Sequence, residues 1–243
     1  MRILFIMLAV IMAAFVGAAK AEAAEPSQKQ INTYIHDYLM QNPEVLKAAI
    51  DNVYDHLEAQ KKKSVKNILQ DKYAEIYRNP RDFTLGRDNA PITIVEFFDY
   101  NCGYCKRSFK KLMRVVREND DVRLVFKEFP VLGKASRQAA EAALTLPNPQ
   151  DFLTYHTRLM SNKNRLNEGE IRAALQAVQA KPEAAFTKGK RRDIQDHITA
   201  THNLGRALNI DGTPSFIINN KIYKGALDYD ELVAAIDEAR NNL

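Results

Sequence analysis

The chain has 243 residues, 46% of them hydrophobic and 27% charged, with a formal charge of +5. Those proportions exclude a disordered, collagenous or polytopic membrane protein and fit a globular chain large enough for a substantial core. With only two cysteines, Cys102 and Cys105, a disulfide-rich scaffold is excluded as well, and one bridge or none remains.

After Met1 and Arg2, residues 3–19 carry no charge, and the small residues that follow offer A-x-A cleavage sites after Ala21 or Ala23. This predicts a secretory signal peptide over residues 1–23; the alternative is a retained membrane anchor, for which about 17 apolar residues lie at the lower limit. Residues 24–80 are expected to form an N-terminal helical segment and linker. Ile31, Tyr34, Ile35, Tyr38 and Leu39 make one helical stripe. Asn42 is placed to cap a second helix that opens on Pro43 and carries Val45, Leu46, Ala49, Ile50, Val53 and Leu57. Both stripes need cover, either from the following domain or from the same segment of another subunit. The run Q-K-K-K-S-V-K has no apolar face and reads as solvated helix or hinge. Without interleaved aromatics in an exported chain, it predicts no nucleic-acid partner.

Residues 81–243 read as the main domain. P-I-T-I-V-E-F-F, residues 91–98, has the β-branched, apolar pattern of a buried strand. Beyond it Cys105, Phe109, Leu112, Met113 and Val116 fall on one helical face, so the C-G-Y-C pair sits where a strand ends and a helix begins. V-R-L-V-F-K-E-F-P predicts a second strand. From about 134 to 208 amphipathic helical segments follow, broken at Pro147, Pro149 and Pro182. S-F-I-I-N and K-I-Y-K-G then predict a hairpin turning at Asn219 and Asn220, before a last helix from Asp228.

A bridge across two residues closes almost no loop, so a staple is a poor reason for the pair. A structural zinc site lacks its remaining ligands: His197 and His202 lie five positions apart, on different helical faces, and read as surface histidines. Covalent haem would need histidine after Cys105, where Lys106 stands. Redox chemistry or Cu(I) held by two thiolates remains. At a helix N-terminus, aided by Lys106, Cys102 is favoured as thiolate and nucleophile, while Cys105 on the apolar face resolves the mixed disulfide.

V-E-F-F, C-x-x-C, V-R-L-V-F-K-E-F-P and G-T-P-S-F-I-I-N in this order, with Y-L-x-x-N-P-E-V-L at residues 38–46, resemble the DsbA family of periplasmic thiol-disulfide interchange proteins. Within it the chain is most similar to the ScsC and Com1 type. The resemblance implies an α/β, thioredoxin-like fold with a DsbA-type all-helical insertion and an N-terminal helical extension. It implies a cis bond before Pro214, with Thr213 and Pro214 docking substrate beside the pair, against the ordinary trans proline that base rates favour. It places an acid, Glu96, beneath the cysteines to move a proton; Lys127, in the second strand's F-K-E-F, reads as its natural counter-charge, and strand alternation could instead turn Glu96 to solvent at an edge. Gly103 and Tyr104 between the cysteines, and Thr213, resemble the isomerase type. An isomerase or reductase is therefore expected, with a dithiol oxidase or a Cu(I)-binding tolerance protein as alternatives. No cofactor or resident metal is implied. The partners implied are exported cysteine-containing proteins, a membrane redox partner of DsbD or DsbB type, and further copies of the chain through the N-terminal helices. The implied location is the periplasm, with outer-membrane association as a variant.

Overall fold

The computed structural model describes residues 25–243, so the expected signal segment lies outside the described residues. Among the described residues no helix is long and apolar enough to cross a membrane. The chain divides into two units, up to Glu58 and from Ala59 onward.

In the first unit, α1 (Gln28–Gln41) opens on a capping box in which Ser27 and Gln30 satisfy each other's backbone amides. Asn42 closes this helix: its side-chain amide donates to the Tyr38 carbonyl at 2.7 Å. Asn42 also directly precedes the next helix, and its carbonyl accepts from the Val45 amide of that helix's first turn at 3.0 Å. Pro43, which lacks the N–H that a first helical position leaves unused, opens α2 (Pro43–Asp71), whose residues from Ala59 onward belong to the second unit. Q-K-K-K-S-V-K lies inside this helix. Tyr34, Ile35, Tyr38, Leu46, Ile50, Val53 and Leu57 are all exposed.

The second unit is built on a five-stranded sheet ordered β1-β3-β2-β4-β5. β2 (Ile92–Phe98) and β3 (Val122–Glu128) run parallel, joined by α4 (Gly103–Glu118); β1 (Phe83–Leu85), β4 (Ser215–Ile218) and β5 (Lys221–Lys224) are antiparallel to their neighbours. The three-residue β1 was too short to be read from the sequence. Between β3 and β4 lie only helices: α5 (Lys134–Ala143), α6 (Pro149–Ser161), α7 (Glu168–Ala177), α8 (Pro182–Gly189) and α9 (Arg192–Ala207). Pro149 and Pro182, read as breaks, each open one of them. Asn219 and Asn220 turn the β4–β5 hairpin with φ of 40° and 71°, the left-handed pair a two-residue hairpin demands. Asp228 and Glu231 form the capping box of α10 (Tyr229–Arg240).

Central strands buried on both sides divide their side chains by parity. Ile92, Ile94 and Phe98 of β2 join Leu124 and Phe126 of β3 in a core roofed by Cys105, Phe109, Leu112 and Val116 of α4 and by Leu232 and Ile236 of α10. Val95, Phe97 and Val125 face the other way, against Ile76 and Tyr77 of α3 (Tyr73–Tyr77) and Leu204 and Leu208 at the end of α9. Each such large apolar side chain contributes about 1.5–3 kcal/mol by leaving water. β5 is a sheet edge, capped by Lys221 and Lys224, which pair with Glu238 and Asp211.

His197 is not a surface residue. It is 5% exposed, with Nε2 3.1 Å from Asp82 Oδ1, because α9 folds its apolar stripe and this histidine onto the segment before β1. His202 is half-buried, its ring 4.7 Å from that of Phe129.

Candidate active site

Four residues, D-Y-N-C, carry the chain from the end of β2 to the start of α4. Asp99 is buried, and its carboxylate accepts from the Asn101 amide at 2.6 Å and from the Val131 and Leu132 amides at 2.8 and 2.9 Å. One buried carboxylate thereby ties the approach to the cysteines to the loop after β3. Bonds of this kind to a carboxylate are short and roughly twice as strong as neutral ones.

Cys102 is the N-cap residue of α4 and Cys105 sits one turn in; both are free thiols. Their exposures are 5% and 0%, a narrower opening at Cys102 than the sequence suggested. The reason is the other half of the domain: the Thr213 carbonyl lies 3.1 Å from Cys102 Sγ, and the Thr213–Pro214 bond is cis. Thr213 and Pro214 therefore stand directly beside the pair. Gly103 is exposed and Tyr104 is 60% exposed, with the Arg107 guanidinium 4.1 Å over its ring.

The two thiols are driven apart in acidity. The Cys105 S–H donates to the Cys102 sulfur, and the Thr213 hydroxyl and the Cys105 and Tyr104 amides add further donors, lowering Cys102 from 9.0 to about 5 despite partial burial. Burial, and the bond it donates, push Cys105 far upward. Lys106 turns elsewhere: its Nζ donates to the Asn164 carbonyl at 2.9 Å, so the lowering at Cys102 comes from the neighbouring thiol and the helix amides.

Glu96 points to the same face as the cysteines and is 1% exposed, which excludes the solvent-edge alternative. Neither carboxyl oxygen has a hydrogen-bond partner among the described residues. Burial, with a contribution from the Cys102 charge, raises it from 4.5 to about 8, so it is mostly neutral at pH 7. Lys127 is not its counter-charge, and that expectation is corrected. Glu96 pairs in register with Phe126, which puts Lys127, one residue on, on the opposite face of the sheet. There Lys127 Nζ meets Asp82 and the Glu75 carbonyl, in the cluster that His197 completes.

Three buried polar residues on the cysteine side escaped the sequence reading. Tyr100 donates to Glu128 Oε1 at 3.0 Å, and its hydroxyl lies 3.2 Å from His156 Nδ1. Burial pushes the Glu128 carboxyl well above the usual carboxylate range and lowers His156 to about 3, so the imidazole is neutral at pH 7. Glu128, an acid inside an apolar strand like Glu96, was the available signal.

The thiolate absorbance of the reduced protein is expected to appear with a midpoint near pH 5, well below a free thiol. A depressed folded value has a definite linkage sign. The reduced form gains stability from this group as pH rises from about 5 to about 9, and loses it as pH falls through about 5. A midpoint near 8.5, or a stability of the reduced form flat across that window, contradicts the geometry.

A thiol of lowered proton affinity at a helix start, a sheltered partner one turn away, a cis proline alongside and a central β2–α4–β3 unit define a thiol-disulfide oxidoreductase of the thioredoxin fold. Residues 78–238 match the thioredoxin family model, and the chain belongs to that family. It is similar to a linker-deleted mutant of Proteus mirabilis ScsC: 27% identity, 92% of this chain and 100% of that one, TM-score 0.68. A periplasmic thioredoxin-like protein from Salmonella enterica serovar Typhimurium shares 31% identity over 69% of this chain and 94% of its own, with a TM-score of 0.62. Disulfide bond formation protein D of Bacillus subtilis is 28% identical over 63% of this chain and 75% of its own length.

Proposed function

We infer that the protein is exported and exchanges disulfides in exported proteins through its Cys-Gly-Tyr-Cys pair, as an isomerase or reductase. The observation that carries this reading is the depressed Cys102 thiol held 3.1 Å from the carbonyl before the cis proline. In the reducing direction the Cys102 thiolate attacks a client disulfide, forms a mixed disulfide and releases one client thiolate. Cys105 then loses its proton, attacks Cys102 and releases the second client sulfur, leaving the pair oxidised and the client reduced. Glu96 takes that proton as a carboxylate, having first released its own proton to solvent in the mixed disulfide. While Cys102 is a thiolate, its charge helps to keep Glu96 protonated; once it is consumed in the mixed disulfide that contribution vanishes, and the carboxyl ionises more readily. Thr213 and Pro214 offer backbone to an extended client, and Gly103 and Tyr104 shape the lip.

Export is supported by the charge-free run over residues 3–19 and by the periplasmic origin of the Salmonella relative. The isomerase or reductase role is supported by the exposed stripes of α1 and α2, which suit pairing with further copies of the chain, and by the Gly103-Tyr104 dipeptide. Such an assembly holds several thiols around one client and keeps a DsbB-type oxidase away, leaving a DsbD-type partner to recharge the pair.

Deleting residues 27–63 tests this. The truncated protein is expected to be monomeric, to lose at least about tenfold in refolding of scrambled substrate, and to gain dithiol oxidation. A truncated protein that stays oligomeric, or is monomeric with full isomerase activity, overturns the assignment.

A further inference from the structure

Beside Cys102 the surface sinks into a small cavity, walled by Asn101, Gly103, Lys106 and Leu132 on one side and by Lys163, Asn164 and Arg165 of the helical insertion on the other. The segment supplying the last three is fastened to the redox motif twice. The Lys106 ammonium donates to the Asn164 carbonyl at 2.9 Å, and the Leu166 amide donates to Asn101 Oδ1 at 2.9 Å. The Asn164 amide donates to Asn162 Oδ1 at 2.8 Å, fixing the turn itself. Lys163 and Arg165 stand exposed at the mouth.

The acids nearest this cavity are already engaged. Asp99 holds three backbone amides, and Glu170 accepts from the Asn162 side chain. Lys106 is half-buried, and that burial lowers its proton affinity against the opposing pull of Glu170 and Asp99. Three cations thus line a recess one residue from the reacting sulfur, at the start of a helix whose amides add positive potential.

We propose that this recess is a subsite for a carboxylate carried by the client within a few residues of the cysteine that Cys102 attacks. An acidic side chain here forms charge-assisted bonds with Lys163 and Arg165 while Thr213 and Pro214 hold the client backbone. Nearby Leu132 and Tyr104, 47% and 60% exposed, offer apolar contact to the residues between. The preferred client is therefore an acidic cysteine-containing peptide. This deepens the disulfide-exchange reading and rests on it.

The test uses the full-length protein and three disulfide-bonded peptides that differ only at the residues flanking the cysteine, which are Glu, Gln or Lys. Rates of mixed-disulfide formation with Cys105→Ala protein are expected to rank Glu above Gln above Lys, with about fivefold or more between the extremes, shrinking towards parity at about 1 M salt. The double variant Lys163→Glu, Arg165→Glu is expected to reverse the order, its rate with the Glu peptide falling far more than with the Gln peptide. Equal rates for all three peptides, or an order unmoved by the double variant, overturn the subsite while leaving the oxidoreductase reading intact. If no peptide reacts, including the Gln one, the reading on which the subsite rests fails with it.

Discussion

Replacing Cys102 with Ser is expected to cut disulfide exchange by about three orders of magnitude or more, since no other thiol of the protein is placed to make the first attack. Cys105→Ala has a different signature. It leaves Cys102 able to attack but removes the group that expels it, so client adducts accumulate on Cys102. It also removes the donor that contributes most to the low proton affinity of Cys102, whose titration midpoint should therefore rise from near pH 5. Non-reducing electrophoresis of each variant with a disulfide-bonded client reads out the difference. Adducts on the Cys102→Ser protein and none on Cys105→Ala would invert the assignment of roles.

The largest stability effect is expected far from the cysteines, at Lys127. Its ammonium, 1% exposed, sits between Asp82 and the Glu75 carbonyl, and His197 adds its ring to Asp82. Lys127→Met fills most of the volume but leaves the Asp82 carboxylate buried without its cation, at a cost of about 3–5 kcal/mol. The joint variant Lys127→Met, Asp82→Leu removes both charges and should recover a good part of that loss. Urea unfolding of the two variants and the parent decides it. If Lys127→Met unfolds with the parent while its exchange rate collapses, Lys127 belongs to the chemistry after all. Equal destabilisation of single and double variants would show that packing, and not an uncompensated charge, sets the cost.

The contrast between Glu96 and Lys127 shows what the chain makes legible before it folds. Periodicity over a few residues was enough for β2, for the apolar face of α4, for the Asn219–Asn220 turn and for the position of both cysteines, because each rests on neighbours in sequence. Whether Lys127 faces Glu96 depends on the register between two parallel strands, and a shift of one residue sends it to the far side of the sheet. His197 was misread because its partner, Asp82, precedes β1 while His197 itself sits in α9. The Tyr100–Glu128–His156 cluster draws on three separate elements and has no local pattern. The cis proline was legible only through resemblance, since nothing in its immediate sequence distinguishes it from an ordinary one.

The lysines at the two ends of β5 bear on a hazard peculiar to this trade. Clients of the proposed exchange activity present extended segments with unpaired amides and carbonyls, which readily add themselves to any open strand. β5 is such a strand, four residues long and paired on one side to β4. Lys221 and Lys224 put a charge at each end, so a client strand sliding alongside would have to strip water from both and displace Glu238 and Asp211. With its rim guarded in this way, the sheet is a poor seed for cross-β stacking, and clients are left to engage the cleft where the sulfurs are.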